Sequence, residues 1–409
     1  MQIDYKIRDR FDFGLFGSAL LLIGIGLIAI YSSTVNHPTA SGNFDKQLTW
    51  SIISLICFFI IYSLPTNSFK IAAVPSYIFS ILLLMLVFVA GKKVSGAQSW
   101  FGFGSVGFQP SEIAKVGTIL AMAAYLSRQH SNIESFKDIL ISLSIGLIPV
   151  ALILLEPDMG TSIVFCGIIL MMIFWKGISV FGLFVVLSPG FVAVASLFGT
   201  YFFIGAIIIV VALLIFFKQD IFFSGSIFAL NLGAGFFTDV VYHALSPHQQ
   251  NRIKSFIDPN SDPLGAGYNA IQAQVAIGSG GIFGKGFLHG NQTQLQFIPE
   301  QWTDFIYCVI GEEFGFFGSF IVLLLYFILI YRVLKIASST KDEFISLIII
   351  GFLSVYFIHF IINAGMVLGI MPVIGIPLPF VSYGGSSLLV NMIMLGIIAN
   401  VYRTRKNYT

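Results

Sequence analysis

The sequence predicts an all-α, polytopic transmembrane bundle, and three observations predict it. Hydrophobic residues make up 57% of the 409 and charged residues only 10%, against about 25% charged in ordinary soluble domains. A water-soluble fold cannot bury that much apolar surface, whereas lipid solvates the exteriors of helices directly. The apolar residues are also gathered into runs that approach the ~20 residues a helix needs to cross the hydrocarbon.

Taken in order, the runs centre on 14–33, 48–65, 71–90, 113–127, 138–155, 160–175, 179–198, 201–217, 221–241, 305–330, 344–369 and 386–402. The first follows Lys6, Arg8 and Arg10 and superficially matches a signal peptide. It is too long for one and no Ala-x-Ala site follows, so it reads as the first span. The runs at 201–241 are the weakest, because the second carries Asn231, Thr238 and Asp239. Cys57, Cys166 and Cys308 fall in or beside apolar runs and form no CxxC, so they read as small hydrophobes. The net charge of +2 gives no argument for nucleic acid.

Basic residues accumulate on the cytoplasmic side of membrane proteins. With the N-terminus inside, the inner segments hold Lys6, Arg8, Arg10, Lys70, Arg128, Lys137, Lys176, Lys218, Arg332, Lys335, Lys341, Arg403, Arg405 and Lys406, 14 of the 21. Both termini are then cytoplasmic. Two outer connections stand out, 91–112 and the long polar stretch 246–304. The second alternates turn signals (Asp258-Pro259, Asp262-Pro263, Gly278 to Gly281) with helical patterns such as Tyr268 to Ile277, and is expected to be ordered.

Ionisable residues at membrane depth are costly and mark candidate sites. Asp304 closes the long outer connection in Phe297-Ile-Pro-Glu-Gln-Trp-Thr-Asp304 and opens the next apolar run. Partial desolvation there would raise its pKa toward that of a general base; the alternative is a carboxylate satisfying free helix amides. Glu112 and Lys115, at i and i+3 in Gln109-Pro-Ser-Glu-Ile-Ala-Lys115, share a helix face. They read either as a structural ion pair with Ser111 as cap or as cavity charges. Asp158, in Glu156-Pro-Asp-Met-Gly-Thr-Ser162, reads as a helix cap or as a third outer charge. Trp100 is a sugar-stacking platform or an interfacial anchor. The glycine-rich segment Gly278 to Gly290 lacks the spacing of a P-loop. Its glycines permit close backbone approach to a ligand, and Lys285 offers a point charge for a pyrophosphate. His289 reads as a loop hydrogen-bonder. Pro372 to Ser387, with Tyr383, is a cavity-lining re-entrant loop or a rigid turn. Gly311 with Gly315, and Gly365 with Gly369, have the GxxxG spacing of close helix contacts.

The ordered set of motifs carries a resemblance. Gly96-Ala-Gln-Ser-Trp100, Phe108-Gln-Pro-Ser-Glu-Ile-Ala-Lys115 and Pro157-Asp-Met-Gly-Thr-Ser162 come first. Asp262-Pro-Leu-Gly-Ala-Gly-Tyr268, Ala276-Ile-Gly-Ser-Gly-Gly281, Gly284-Lys-Gly286, Thr303-Asp-Phe-Ile306 and Pro377-Leu-Pro-Phe-Val-Ser-Tyr-Gly-Gly-Ser386 follow. Over nearly its whole length the chain resembles the SEDS (shape, elongation, division and sporulation) family, in its rod-shape branch. The resemblance implies one membrane domain over 1–409 with ten spans, here enlarged by an inserted pair at 199–245 to twelve. It implies a bacterial inner-membrane peptidoglycan glycosyltransferase that polymerises lipid II and works with a class B penicillin-binding protein. The family's essential outer aspartate falls on Asp304, its Glu–Lys pair on Glu112 and Lys115, its tryptophan on Trp100, and the aspartate of its Pro-Asp-x-Gly-Thr motif on Asp158. Asp304 would then be the general base. Lys115, Lys285 or Arg252, or a divalent cation (Mg or Mn), would face the polyprenyl pyrophosphate, and Tyr383 would line the substrate site. Trp302 stands where His is usual, Ser99 where Arg is common and Glu156 where Gln is frequent. A lipid II flippase is the competing reading, since many spans and buried charges suit transport equally.

Overall fold

The computed structural model describes residues 10–94, 97–103, 106–128, 136–218, 220–245, 247–258, 265 and 267–404. Every one of the twelve apolar runs is a helix. The chain begins with α1 (Phe13–Thr34), α2 (Asn43–Ser63) and α3 (Asn67–Ala90). Strands β1 (Lys92–Val94), β2 (Ala97–Phe103) and β3 (Val106–Phe108) come next, then α4 (Pro110–Leu126), α5 (Phe136–Leu155) and α6 (Met159–Trp175). After them stand α7 (Val180–Leu197), α8 (Thr200–Phe217), α9 (Ile221–Ala244), α10 (Pro247–Ile257), α11 (Tyr268–Gly280) and α12 (Asn291–Gln294). The chain closes with α13 (Ile306–Ser339), α14 (Glu343–Val367) and α15 (Gly385–Thr404).

Among the described residues, ten helices are long and apolar enough to cross a membrane. The other two runs, α4 and α6, are 17 residues each, or about 26 Å at 1.5 Å per residue, short of the ~30 Å hydrocarbon thickness. The chain packs as two compact units, one of residues 1–176 and 269–409, the other of residues 177–268. The second holds α7 to α10, in which the apolar runs at 201–217 and 221–241 are α8 and α9. Its core is Val192, Ala206, Val210, Leu214 and Ile227. Within it the Asn231 amide donates to Ser188 Oγ (3.0 Å) and to the Ile227 carbonyl (2.9 Å), which satisfies both of its hydrogens inside an apolar run, while its Oδ1 is buried without a partner.

In the first unit α14 and α15 are buried along most of their length, whereas α2, α3 and α5 expose one face. The unit is therefore built around α14, which packs on α4, α6 and α13, while α15 packs on α2. Such helix pairs in lipid depend on close backbone approach at small residues. A Cβ on Gly26 would lie 2.4 Å from the Val381 carbonyl oxygen, and one on Gly117 2.9 Å from that of Ser76.

Two features depart from a purely helical expectation. The 91–112 connection is a three-stranded antiparallel sheet of order β1-β2-β3, with Lys92 opposite Trp100 and Phe101 opposite Phe108. Trp, Phe and Val favour extended backbone, and the interspersed glycines admit neighbouring strands and rings. The second departure is a break in α13 at Gly315, whose φ of 64° and ψ of −155° are open to glycine alone. The glycine-rich segment 280–286 fills that break. Lys285 N–H and Gly286 N–H donate to the carbonyls of Glu312 and Glu313 (3.0 Å each). In return Phe316 N–H and Phe317 N–H donate to the carbonyls of Gly281 (2.9 Å) and Ile282 (3.2 Å). Four backbone groups freed by the kink are thus satisfied by protein. The glycines do permit close approach, but to α13.

Candidate active site

Asp304 lies in the turn of residues 301–305 that leads into α13, and is half-buried. The helix N-cap is the next residue, Phe305, which makes no side-chain cap bond. The turn is fixed from the connection between α14 and α15. Tyr383 N–H donates to the Trp302 carbonyl (2.9 Å), Ser382 Oγ–H to the Thr303 carbonyl (2.7 Å) and Asn363 Nδ2–H to the Asp304 carbonyl (2.8 Å). The Asp304 carboxylate faces Gly375, where an added Cβ would meet Oδ2 at 3.0 Å. The connection is itself packed inside protein. Tyr326 OH donates to the Pro379 carbonyl, and Gln47 takes the Gly384 N–H (3.1 Å) and gives a bond to the Ser382 carbonyl (3.4 Å). A non-helical segment among spans needs such internal partners.

Glu112 and Lys115 project from the first turns of α4 and are almost wholly enclosed, 4% and 1% exposed. Lys115 Nζ lies 2.9 Å from one Glu112 oxygen and 3.0 Å from the other. A third member, His359 of α14, stands 3.3 Å from the same ammonium through Nε2. His359 Nδ1 is 3.0 Å from the Pro377 carbonyl, which can only accept, so the proton sits on Nδ1 and Nε2 accepts from Lys115. The ion-pair reading therefore describes the geometry, and the pair is tied through His359 to the connection that braces Asp304. Ser111 is not the cap of α4: the cap position is Gln109, with Pro110 as first helical residue.

Asp158 caps α6, taking Thr161 N–H (3.0 Å) and Thr161 Oγ–H (2.7 Å), and it also accepts from Gln109 Nε2 (3.1 Å). That last bond joins the start of α6 to the start of α4. The next turn of α6 rests on the same connection again, since a Cβ on Gly160 would lie 3.0 Å from Ile374 and 3.1 Å from Ile376. The turn before α13 and the start of α6 thus contact residues 372–384 directly, and the start of α4 is linked to them through His359. Beside Asp158, burial and the neighbouring carboxylate push Glu156 up to about 8. Trp100 is half-buried, with its ring over Gly107 of the adjacent strand.

Lys285 is held by Glu312 (Nζ to Oε1, 2.8 Å) and keeps a quarter of its side chain exposed. Glu312 also accepts from Gln292 N–H, Thr293 N–H and Thr293 Oγ–H at 2.8–2.9 Å, so it anchors α12. Its neighbour Glu313 accepts from Ser32 Oγ and Gln294 Nε2. Both glutamates lie in an apolar run and should have been singled out by the cost that flagged Asp304; His359 and Asn363, polar residues deep in the run at 344–369, carried the same signal. His289 Nδ1 bonds the Phe287 carbonyl (2.7 Å), as expected of a loop hydrogen-bonder. Gly311 does mark a close contact, with Ile277 of α11, but Gly369 (φ 74°) ends α14 as a left-handed cap. Arg252 sits on α10 in the second unit. Tyr383 lies in the connection, half-buried. Most of the Asp262 to Tyr268 motif and Gly96 fall outside the described residues.

Among the described residues, no three His, Cys, Asp or Glu side chains come together as metal ligands would. The described residues thus supply no ready-made cage for a divalent cation.

Fold and site first define a class, a polytopic helical membrane protein with a long polar connection ending in a braced carboxylate. The chain belongs to the FtsW/RodA/SpoVE family of cell cycle proteins, whose model matches residues 14–204 and 180–407. It is 35% identical to the peptidoglycan glycosyltransferase MrdB of Escherichia coli K12 over 390 residues, 95% of this chain and 93% of that protein. It is 34% identical to the peptidoglycan glycosyltransferase RodA of Treponema pallidum, over 96% of this chain and 97% of that one. Among solved structures, a chain of a peptidoglycan synthase complex superposes with a TM-score of 0.73 at 28% identity, covering 97% of this chain and 98% of the other. The rod shape determining protein RodA of Thermus thermophilus superposes at 0.64 with 26% identity, covering 97% of each chain.

Proposed function

We propose that this chain is a peptidoglycan glycosyltransferase of cell elongation that polymerises lipid II at the outer face of the cytoplasmic membrane, with Asp304 as general base. The observation that carries the reading is the construction around Asp304: three bonds fix the backbone of the turn of residues 302–304, and the carboxylate stays half-buried beside Gly375. A base is effective when held within hydrogen-bond reach of the proton it takes. Asp304 accepts the proton of the acceptor sugar's 4-hydroxyl as that oxygen bonds the anomeric carbon of the growing chain. The anomeric carbon–oxygen bond breaks, and polyprenyl pyrophosphate leaves with the electron pair.

Lys115 is enclosed between Glu112 and His359, so its part is to support the site through those contacts. Lys285 keeps one exposed edge for an anionic leaving group, and a cation held chiefly by the pyrophosphate oxygens is a second candidate. Trp100, Asp158 and Tyr383 are the residues proposed to contact the glycan. Support for a transpeptidase partner of the class B penicillin-binding type comes from the resemblance to a chain of a peptidoglycan synthase complex. The break in α13 favours a transporter, but four of the backbone groups it frees are taken by residues 280–286 rather than left open to a passenger.

The basic residues put both termini in the cytoplasm and Asp304 outside. In a background lacking Cys57, Cys166 and Cys308, Asn291→Cys is expected to react with an impermeant maleimide in intact cells, and Ser338→Cys only after permeabilisation. The reverse pattern would overturn the sidedness. Purified protein given lipid II, with and without its partner, is expected to yield glycan polymer; transbilayer movement of lipid II without polymer would favour the flippase.

A further inference from the structure

We propose that His359 and Asn363 form a clamp on α14 that sets the position of Asp304, with Asn363 as the positioning residue; this rests on the reading of Asp304 as general base. The two residues are four apart in one helix and so share a face. Asn363 Nδ2 donates to the Asp304 carbonyl at 2.8 Å and to the Ile376 carbonyl at 2.7 Å, which uses both amide hydrogens. Those two acceptors fix the amide's orientation, because the flipped form would set its oxygen against two carbonyl oxygens. His359 takes the next carbonyl, that of Pro377, through Nδ1. Two consecutive carbonyls are thereby pinned to a single helix, and Asp304 is pinned to the same point.

The residue before the pinned pair is Gly375, with φ of 82° and no room for a Cβ because the Asp304 carboxylate is there. One pair of donors therefore holds both the main chain of the base and the wall against which its carboxylate rests. Asn363 is fully buried and His359 4% exposed, so neither touches the glycan from this position. Asn363 also leaves its own Oδ1 without a partner. Tolerating an orphaned buried acceptor is understandable if the amide's placement is set by its two donated bonds. His359 receives Lys115 on its other nitrogen, so the buried pair Glu112–Lys115 holds the clamp's second jaw.

A positioning clamp predicts a loss confined to turnover. In the full-length protein, Asn363→Ala is expected to lower kcat for lipid II polymerisation roughly 10- to 100-fold, the scale of a displacement near 1 Å, with KM within twofold. Hydrogen exchange is expected to rise in the segments 300–306 and 372–378 and to stay unchanged elsewhere. Because the alanine variant risks poor folding, Asn363→Ser and His359→Asn serve beside it. His359→Asn keeps a donor for the Pro377 carbonyl and is expected to retain most of kcat, whereas His359→Ala is not. Wild-type kcat in Asn363→Ala or Asn363→Ser would overturn the clamp. So would a loss of kcat with unchanged exchange in both segments, or with exchange raised throughout the bundle. Asp304→Ala is assayed in parallel: normal polymer from it removes the general-base reading, while the exchange pattern still judges the clamp.

Discussion

At the scale of single residues, the buried charges make two predictions. Glu156 is 1% exposed and raised to about 8, so the native state holds its proton where the unfolded chain, near 4.5, has lost it. An acid raised in this way weakens the fold as pH climbs from 4.5 toward 8, after which the loss levels off. Glu156→Gln keeps the shape and removes the titration. Its gain in thermal stability is expected to be small at pH 5 and to grow toward pH 8, on the order of 2–4 kcal/mol at the upper end. An equal gain at both pH values would contradict the assignment. The second prediction concerns Glu112 and Lys115. Removing either partner leaves an enclosed charge, a loss of about 3–5 kcal/mol, so Lys115→Met alone is expected to melt well below the double variant Glu112→Gln/Lys115→Met. Exchanging the two residues does not restore the site: a carboxylate at 115 would face the lone pair of His359 Nε2, and turning the histidine to donate there breaks its bond to Pro377. Thermal melts of the two single variants, the exchange and the neutral pair decide the matter.

At the scale of elements, what was legible follows the range of the interactions involved. Each apolar run became a helix because hydrophobicity is a local property. The helix from Tyr268 could be read from periodicity, although it continues through Gly278 to Gly280. The small sheet at 92–108 was missed because its strands are three, seven and three residues, too short for a period-two pattern to stand out among glycines. The break in α13 was missed for another reason. Glycine at 315 has GxxxG spacing with 311, and only the partner segment, distant in sequence, shows that one glycine packs and the other bends. Gly315→Ala would force a Cβ to within 2.3 Å of the Gly284 nitrogen in a φ region that alanine avoids. It is expected to destabilise the protein by at least about 3 kcal/mol and to free Lys285 and α12 together. Hydrogen exchange across 281–294 reports this; unchanged protection there would mean the break is not what holds the loop.

At the scale of the whole molecule, the chain places costly things where they support one another. After the break α13 still has 24 residues to Ser339, about 36 Å and enough to cross the hydrocarbon alone. The short first part of the helix, the turn carrying Asp304 and the 372–384 connection therefore form a layer of irregular backbone closed by side chains of α14. Asp304, Glu112 and Asp158 were legible as charges at helix starts; the turn of Asp304 and the start of α6 touch this connection, and Glu112 is linked to it through Lys115 and His359. What sequence left open was which charges face the cavity: Lys115 is sealed from it, and the braces from Asn363, His359 and Glu312 depend on contacts between residues 19 to 244 positions apart. The central claim is that a carboxylate at 304, held in place, takes the proton in glycan polymerisation. The most direct test is the rate of polymer formation from lipid II by purified Asp304→Asn, which keeps size and most packing but cannot act as the base. A fall of at least about 100-fold at unchanged thermal stability and lipid II binding is the predicted result; polymerisation within a few-fold of the unmodified protein would contradict the account.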